Sequence, residues 1–276
     1  MNTVKTTYVN ALLADASYVT LRNGDGIITE QSELRSSLAA SLTQPQAEFL
    51  LLNFDILTQT LSPSGGFDAV VWRGKSGTDY AGQVYVSLRG TQGAQDILDD
   101  VSLASRGVPY EQLRDMANWW MRATAKPGEL VRQIKVDTIA HSPLANIYTF
   151  SADISAVATG ELYGQVNIIT GVNGHSLGGY LATAFTRLFG AKVSAINTFN
   201  SAGFSDATGS NIRAEFNNIE TLLGSTALGT RSLDAAGLKQ TNFRAGNGVS
   251  VTTNNWGEMP YWAIGFNQYG KKIPFY

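Results

Sequence analysis

Apolar residues recur at helical spacing through the first part of the chain, then gather into short runs bounded by turn-forming residues. That change of period marks a chain of mixed helices and strands. Val4, Tyr8, Leu12 and Ala16 predict an amphipathic helix over residues 3–21. Residues 30–42 form a second helix after Thr29, and Thr43 with Pro45 opens a third, whose apolar side takes in Phe49, Leu50 and Ile56. Strands are expected at 67–73 and 83–89, joined as a hairpin through Gly74-Lys75-Ser76-Gly77-Thr78-Asp79. Residues 95–103 and 111–123 read as helical, as does a longer stretch at about 144–160.

Residues 165–172 are rich in β-branched side chains and predict a buried strand. A glycine-rich turn follows, then an apolar helix through Tyr180, Leu181, Ala184, Phe185 and Leu188, then a strand at 192–199. Strand, helix and strand of this length form a βαβ unit, which requires a parallel sheet covered on both faces. Farther on, a helix is expected near 212–223, a strand at 241–245 and hairpin-like strands over 261–276. The chain shows no internal repeat and no linker, and 276 residues suit one α/β domain spanning 1–276.

Composition narrows the functional classes. Lys and Arg are scattered and the formal net charge is -2, so no basic patch is available for a nucleic-acid backbone. The absence of cysteine removes disulfides, thiolate metal sites and a cysteine nucleophile. No run of uninterrupted apolar residues is long enough for a transmembrane segment. Asn10, Asp15 and Ser17 interrupt the N-terminal apolar residues where a signal peptide needs continuity, so secretion implies a route without one, and a cytoplasmic location is the alternative.

The chemistry concentrates in Gly174-His175-Ser176-Leu177-Gly178-Gly179, between an apolar strand and a helix. In that setting Gly-x-Ser-x-Gly forms a sharp turn that lifts a serine hydroxyl above the sheet. The glycines leave room for a strained backbone, and the helix start turns its N–H groups toward developing negative charge. Ser176 is the expected nucleophile and Leu177 N–H one oxyanion donor. The competing reading is a chance serine in an ordinary strand-to-helix turn.

A second motif, Val84-Tyr85-Val86-Ser87-Leu88-Arg89-Gly90-Thr91, resembles the oxyanion segment of fungal-type (class 3) triacylglycerol lipases. The phrase Asn197-Thr198-Phe199-Asn200-Ser201-Ala202-Gly203-Phe204 is similar to one in secreted bacterial lipases and phospholipases A1. The resemblance covers about residues 66–204. It implies an α/β-hydrolase fold, with a mostly parallel central sheet and helices on both faces. It further implies Thr91 as the second oxyanion donor, lipid esters at a lipid–water interface as substrate, and no metal or organic cofactor; Asp96, Asp99 and Asp100 match acids that support the oxyanion loop, although composition alone would also allow them a catalytic role. The aromatic segment Asn118-Trp119-Trp120-Met121 reads either as a cover over the site or as core.

The pattern departs from that family at the general base. The order in this fold is Ser, then Asp or Glu, then His, and no histidine follows Ser176. The histidines are His141 and His175. Asn247 occupies the position where relatives place the acid, leaving Asp206 and Asp234 as alternatives. One expectation is a chain whose histidine-bearing segment lies past Tyr276. The others are a lipase-fold lipid-binding or interaction module without turnover, and an unusual base such as Lys271 or His141.

Overall fold

The computed structural model describes residues 3–24, 26–61, 66–90, 108–141, 146–204, 212–225, 227–245 and 269–275. The chain begins with α1 (Thr3–Asp15), which tightens into a 3-10 turn at Ala16–Tyr18. A two-stranded ribbon, β1 (Arg22–Asn23) and β2 (Gly26–Ile27), leads to α2 (Gln31–Leu38) and α3 (Gln44–Asn53). At the start of α3 the Thr43 N–H donates to Gln46 Oε1 at 2.9 Å, satisfying a backbone donor that the helix cannot.

Next come β3 (Phe54–Leu61), β4 (Asp68–Gly74), β5 (Val84–Leu88) and α4 (Tyr110–Thr124). They are followed by β6 (Leu130–His141), β7 (Asn146–Val157), β8 (Gly171–His175), α5 (Leu177–Phe189) and β9 (Ile196–Phe199). The described chain closes with α6 (Ile212–Leu223), α7 (Leu233–Gly237), β10 (Gln240–Ala245) and β11 (Lys271–Phe275).

Seven strands make one mixed sheet in the order β11-β10-β9-β8-β5-β4-β3. Every neighbour pair from β11 to β5 is parallel, and the β5–β4 and β4–β3 pairs are antiparallel. The protein is thus an α/β structure with a mostly parallel sheet. The expected hairpin is the β4–β5 pair, and the expected βαβ unit is β8-α5-β9.

Alternation along the strands divides the core. Ala69, Val71, Val84, Val86, Leu88, Val172 and Ile196 face α4, α5 and α6, where they meet Met116, Trp120, Phe185 and Phe216. Val70, Trp72 and Tyr85 face the opposite way, onto Val9, Leu13, Leu38 and Leu50 of α1, α2 and α3. Strands buried on both faces read as continuous apolar runs, as β4 and β5 do. On the α5–α6 side, Arg187 makes a bidentate pair with Glu220 at 2.5 and 2.9 Å, and both side chains are buried.

Several sequence expectations require correction. Residues 144–160 are not a helix. Residues 146–157 form β7, which pairs antiparallel with β6 in a separate ribbon packed against α4 and α6. The buried strand expected at 165–172 begins only at Gly171, because Ile168 is exposed and Ile169 makes an isolated bridge to Val193. Ile56 belongs to β3 rather than α3. Residues 271–275 are a parallel neighbour of β10, and residues 261–268 of the expected hairpin-like stretch lie outside the described residues. The helix expected at 95–103 lies outside the described residues.

The segment Asn118-Trp119-Trp120-Met121 is core and not a cover. Trp120 packs edge-on to Phe185 at 4.7 Å between centroids. The Asn118 amide meets both backbone groups of Ile134, donating to its oxygen at 2.8 Å and accepting from its N–H at 2.9 Å. These contacts seat α4 against the β6–β7 ribbon.

Candidate active site

β8 delivers the chain to the carboxyl end of the parallel sheet, where open α/β sheets place their ligand crevices. There Ser176 separates β8 from α5 with φ 55° and ψ -126°. A side chain at positive φ is sterically strained and persists only where its surroundings fix the backbone. The fixing bonds are present. Ser176 N–H donates to Phe199 O at 3.0 Å, and Ser176 O accepts from Gly179 N–H and Ala202 N–H, each at 3.0 Å. Leu177 is the first residue of α5, so its N–H has no intrahelical acceptor and is placed to receive negative charge.

The glycines around the serine are steric requirements. A Cβ on Gly174 would lie 2.0 Å from Gly178 O, and one on Gly179 would lie 2.4 Å from Ser201 Oγ. A Cβ on Gly178 would strike Leu88 O at 2.2 Å and Gly90 N at 2.9 Å. The bend therefore rests directly on the end of β5. Gly90 closes the gap from the other side, since its own Cβ would fall 2.8 Å from His175 O. Sequence reading placed Gly90 in the oxyanion motif but did not assign it this contact.

Beside the bend, the His175 ring lies against the 3-10 turn. Tyr18 Oη is 3.4 Å from His175 Nδ1, and the rings meet edge-on at 6.1 Å. Burial pushes the His175 imidazole below its ordinary value, with the Asp15 charge pulling the other way. Burial also raises the Asp15 carboxyl, an effect that His175 opposes. Arg89 extends over the Tyr18 ring and pairs with Asp68 of β4. Asp15 and Tyr18 were not among the sequence candidates, and no local signal near either one marks it.

The His175 shift sets a sign for stability. The folded chain holds this imidazole neutral below the point where the unfolded chain protonates it, near pH 6.5. Its stabilising contribution is complete above that pH and is lost as the pH falls from there through the lower folded midpoint. Asp15 acts in the opposite sense, because its raised carboxyl binds a proton more readily folded than unfolded. An NMR titration should show His175 protonating below about 6.5. Asp15→Asn should lower that midpoint further by removing the charge that supports it. An unchanged or higher midpoint in the variant would refute this coupling.

Of the remaining candidates, the three that are described lie away from the bend. Thr91, Asp96, Asp99, Asp100, Asp206 and Asn247 lie outside the described residues. Asp234 is exposed and engages Arg213 at 3.1 Å. Lys271 opens the edge strand β11 in register with Thr241, Asn197 and Asn173, three strands away from β8. At about 4.8 Å per strand it stands about 14 Å across the sheet from the elbow strand, too far to serve as base. His141 ends β6 in the ribbon and does not precede a helix.

No family model matches this chain, and no curated protein or solved structure matches it.

Proposed function

We propose that the chain is a serine carboxylic-ester hydrolase of the α/β-hydrolase type, acting on lipid esters in the manner of a lipase or phospholipase A1. The observation that carries this reading is Ser176, held at positive φ between a parallel strand and a helix, with the Arg89-Gly90 strand end packed against the bend. An unstrained turn would have no need of that geometry. In the proposed reaction, Ser176 Oγ attacks the ester carbonyl and gives up its proton to a base. Leu177 N–H and a donor at Thr91 receive the charge on the carbonyl oxygen, and the alcohol leaves with a proton. Water then adds to the acyl-serine, releasing the acid and restoring the hydroxyl.

Lipid specificity rests on the resemblance of the two motifs to lipases and phospholipases. Among the described residues no helix is long and apolar enough to cross a membrane.

A second reading, a lipid-binding module without turnover, draws on the position of His175, whose ring is engaged with Tyr18. The two are separated by an activated organophosphonate ester, which phosphonylates an activated serine and expels its leaving group. The hydrolase reading expects stoichiometric modification at Ser176, none in Ser176→Ala, and hydrolysis of a chromogenic acyl ester. Saturable lipid binding unaffected by Ser176→Ala, with no phosphonylation and no ester turnover, would replace it with the binding module.

A further inference from the structure

The reading of Ser176 as a nucleophile leaves open what holds the two halves of the site at a fixed separation. One half is the bend after β8, and the other is the strand end after β5. The hydroxyl of Tyr18 touches both. It accepts the Gly90 N–H at 3.2 Å, and it lies 3.4 Å from both Nδ1 and the carbonyl oxygen of His175. Gly90 is the last described residue before Thr91, and His175 immediately precedes Ser176. One side-chain oxygen thus spans the residue before the nucleophile and the glycine near the end of the second motif.

Tyr18 is itself held from several sides. The 3-10 turn is stiffened by Ser17 Oγ donating to Ala14 O at 2.6 Å. The chain just after it is clamped to β3 by the buried Gln59 amide, which donates to Val19 O and accepts from Leu21 N–H, each at 2.7 Å. The ring lies between the Arg89 guanidinium, 5.7 Å from its centroid, and the edge of His175. Such support fixes a hydroxyl in place before any substrate arrives, as preorganisation of a charge-stabilising site requires.

We propose that Tyr18 is a positioning residue for the Ser176 chemistry, its hydroxyl setting the distance between the Arg89-Gly90 strand end and the nucleophile bend. It touches neither substrate nor reacting atoms. The proposal rests on the hydrolase reading above, and the 3-10 turn of the N-terminal segment becomes part of the site's framework.

Tyr18→Phe is the test, because it removes the hydroxyl and keeps the ring between Arg89 and His175. Wild type and variant are treated with the organophosphonate in excess, and the time course is followed by mass. Its amplitude counts folded, competent molecules, while its rate constant reports the site geometry. The expected result is full amplitude with a rate constant lowered by about 10- to 100-fold, the usual effect of losing a group that orients a reacting one. In ester hydrolysis kcat should fall at an unchanged KM.

A variant with reduced amplitude at the wild-type rate constant would make Tyr18 merely structural and overturn the proposal. So would unchanged rate and amplitude, with the hydrolase reading left standing. Failure of the wild-type chain to react at Ser176 would remove the hydrolase reading and this proposal with it.

Discussion

Replacing Ser176 with glycine should stabilise the fold by about 1 kcal/mol while abolishing phosphonylation completely. At φ 55° and ψ -126° the serine backbone is strained, and glycine adopts such angles freely. Relief of a strained backbone is worth on the order of 1–3 kcal/mol, against which the greater freedom of glycine in the unfolded chain takes back about 0.5–1. Ser176→Ala is the companion variant. It deletes the same hydroxyl but keeps the Cβ and therefore the strain, so its denaturant midpoint should stay near that of the wild type. The two midpoints, compared at equal m-values, isolate the backbone term from the loss of the hydroxyl. Equal stability of the glycine and alanine variants would show that the bend is relaxed, and the case for a preorganised nucleophile would fall with it.

Gly178→Ala should be among the most damaging single methyls added to this site, because it strikes a second strand rather than its own turn. The new carbon would sit 2.2 Å from Leu88 O and 2.9 Å from Gly90 N, both backbone atoms of the neighbouring strand end. Neither can rotate away, so α5 and the end of β5 must separate. Overpacking of this kind costs about 3 kcal/mol, read as a lower denaturant midpoint. Because the displaced elements carry Leu177 and Gly90, the phosphonylation rate should also fall by roughly 10²-fold, as misplacement by about 1 Å can cause. Gly26→Ala serves as control, since a Cβ there meets nothing within 4 Å, and its stability should change by less than about 0.5 kcal/mol. Wild-type rate and stability in Gly178→Ala would mean that the close packing of bend and strand end does not exist in solution.

The strain at Ser176 and the crowding at Gly178 are two sides of one arrangement. A helix that starts hard against a strand end leaves no space for a side chain at Gly174, Gly178 or Gly179, and Ser176 among them is held in an unfavourable conformation. The spacing Gly-x-Ser-x-Gly-Gly is a local record of that geometry, which is why it is legible before any fold is known. The α6 helix, the β4–β5 hairpin and the β8-α5-β9 unit were legible for a similar reason. Their apolar periods and turn residues act between neighbours in the chain, with no distant partner required.

Other segments misled because a local pattern was satisfied by the wrong structure. Ile147, Phe150, Ile154 and Val157 recur at spacings of three and four, as on one face of a helix, yet only Phe150 of these is buried. Pairing with β6 makes this segment a strand, and register shifts between Val131 and Gln133 and between Thr138 and Ala140 disturb the simple alternation that would have announced it. Residues 165–170 have strand composition, but the β5–β8 ladder starts at Tyr85 and Gly171, so composition alone placed the strand too early.

The sequence by itself determined the alternation of strands and helices, the glycine-framed serine and the strand that carries Arg89 and Gly90, because each depends on residues a few positions apart. Only the tertiary structure decided what surrounds them. Tyr18 meets His175 across 157 positions and Gly90 across 72, and neither contact leaves a trace in local spacing. The same holds for the exclusion of Lys271 and for the role of Asn118 in seating the ribbon. Such contacts arise from the order of strands in a sheet and the layer packed on it, which are fixed when distant segments bury their faces together.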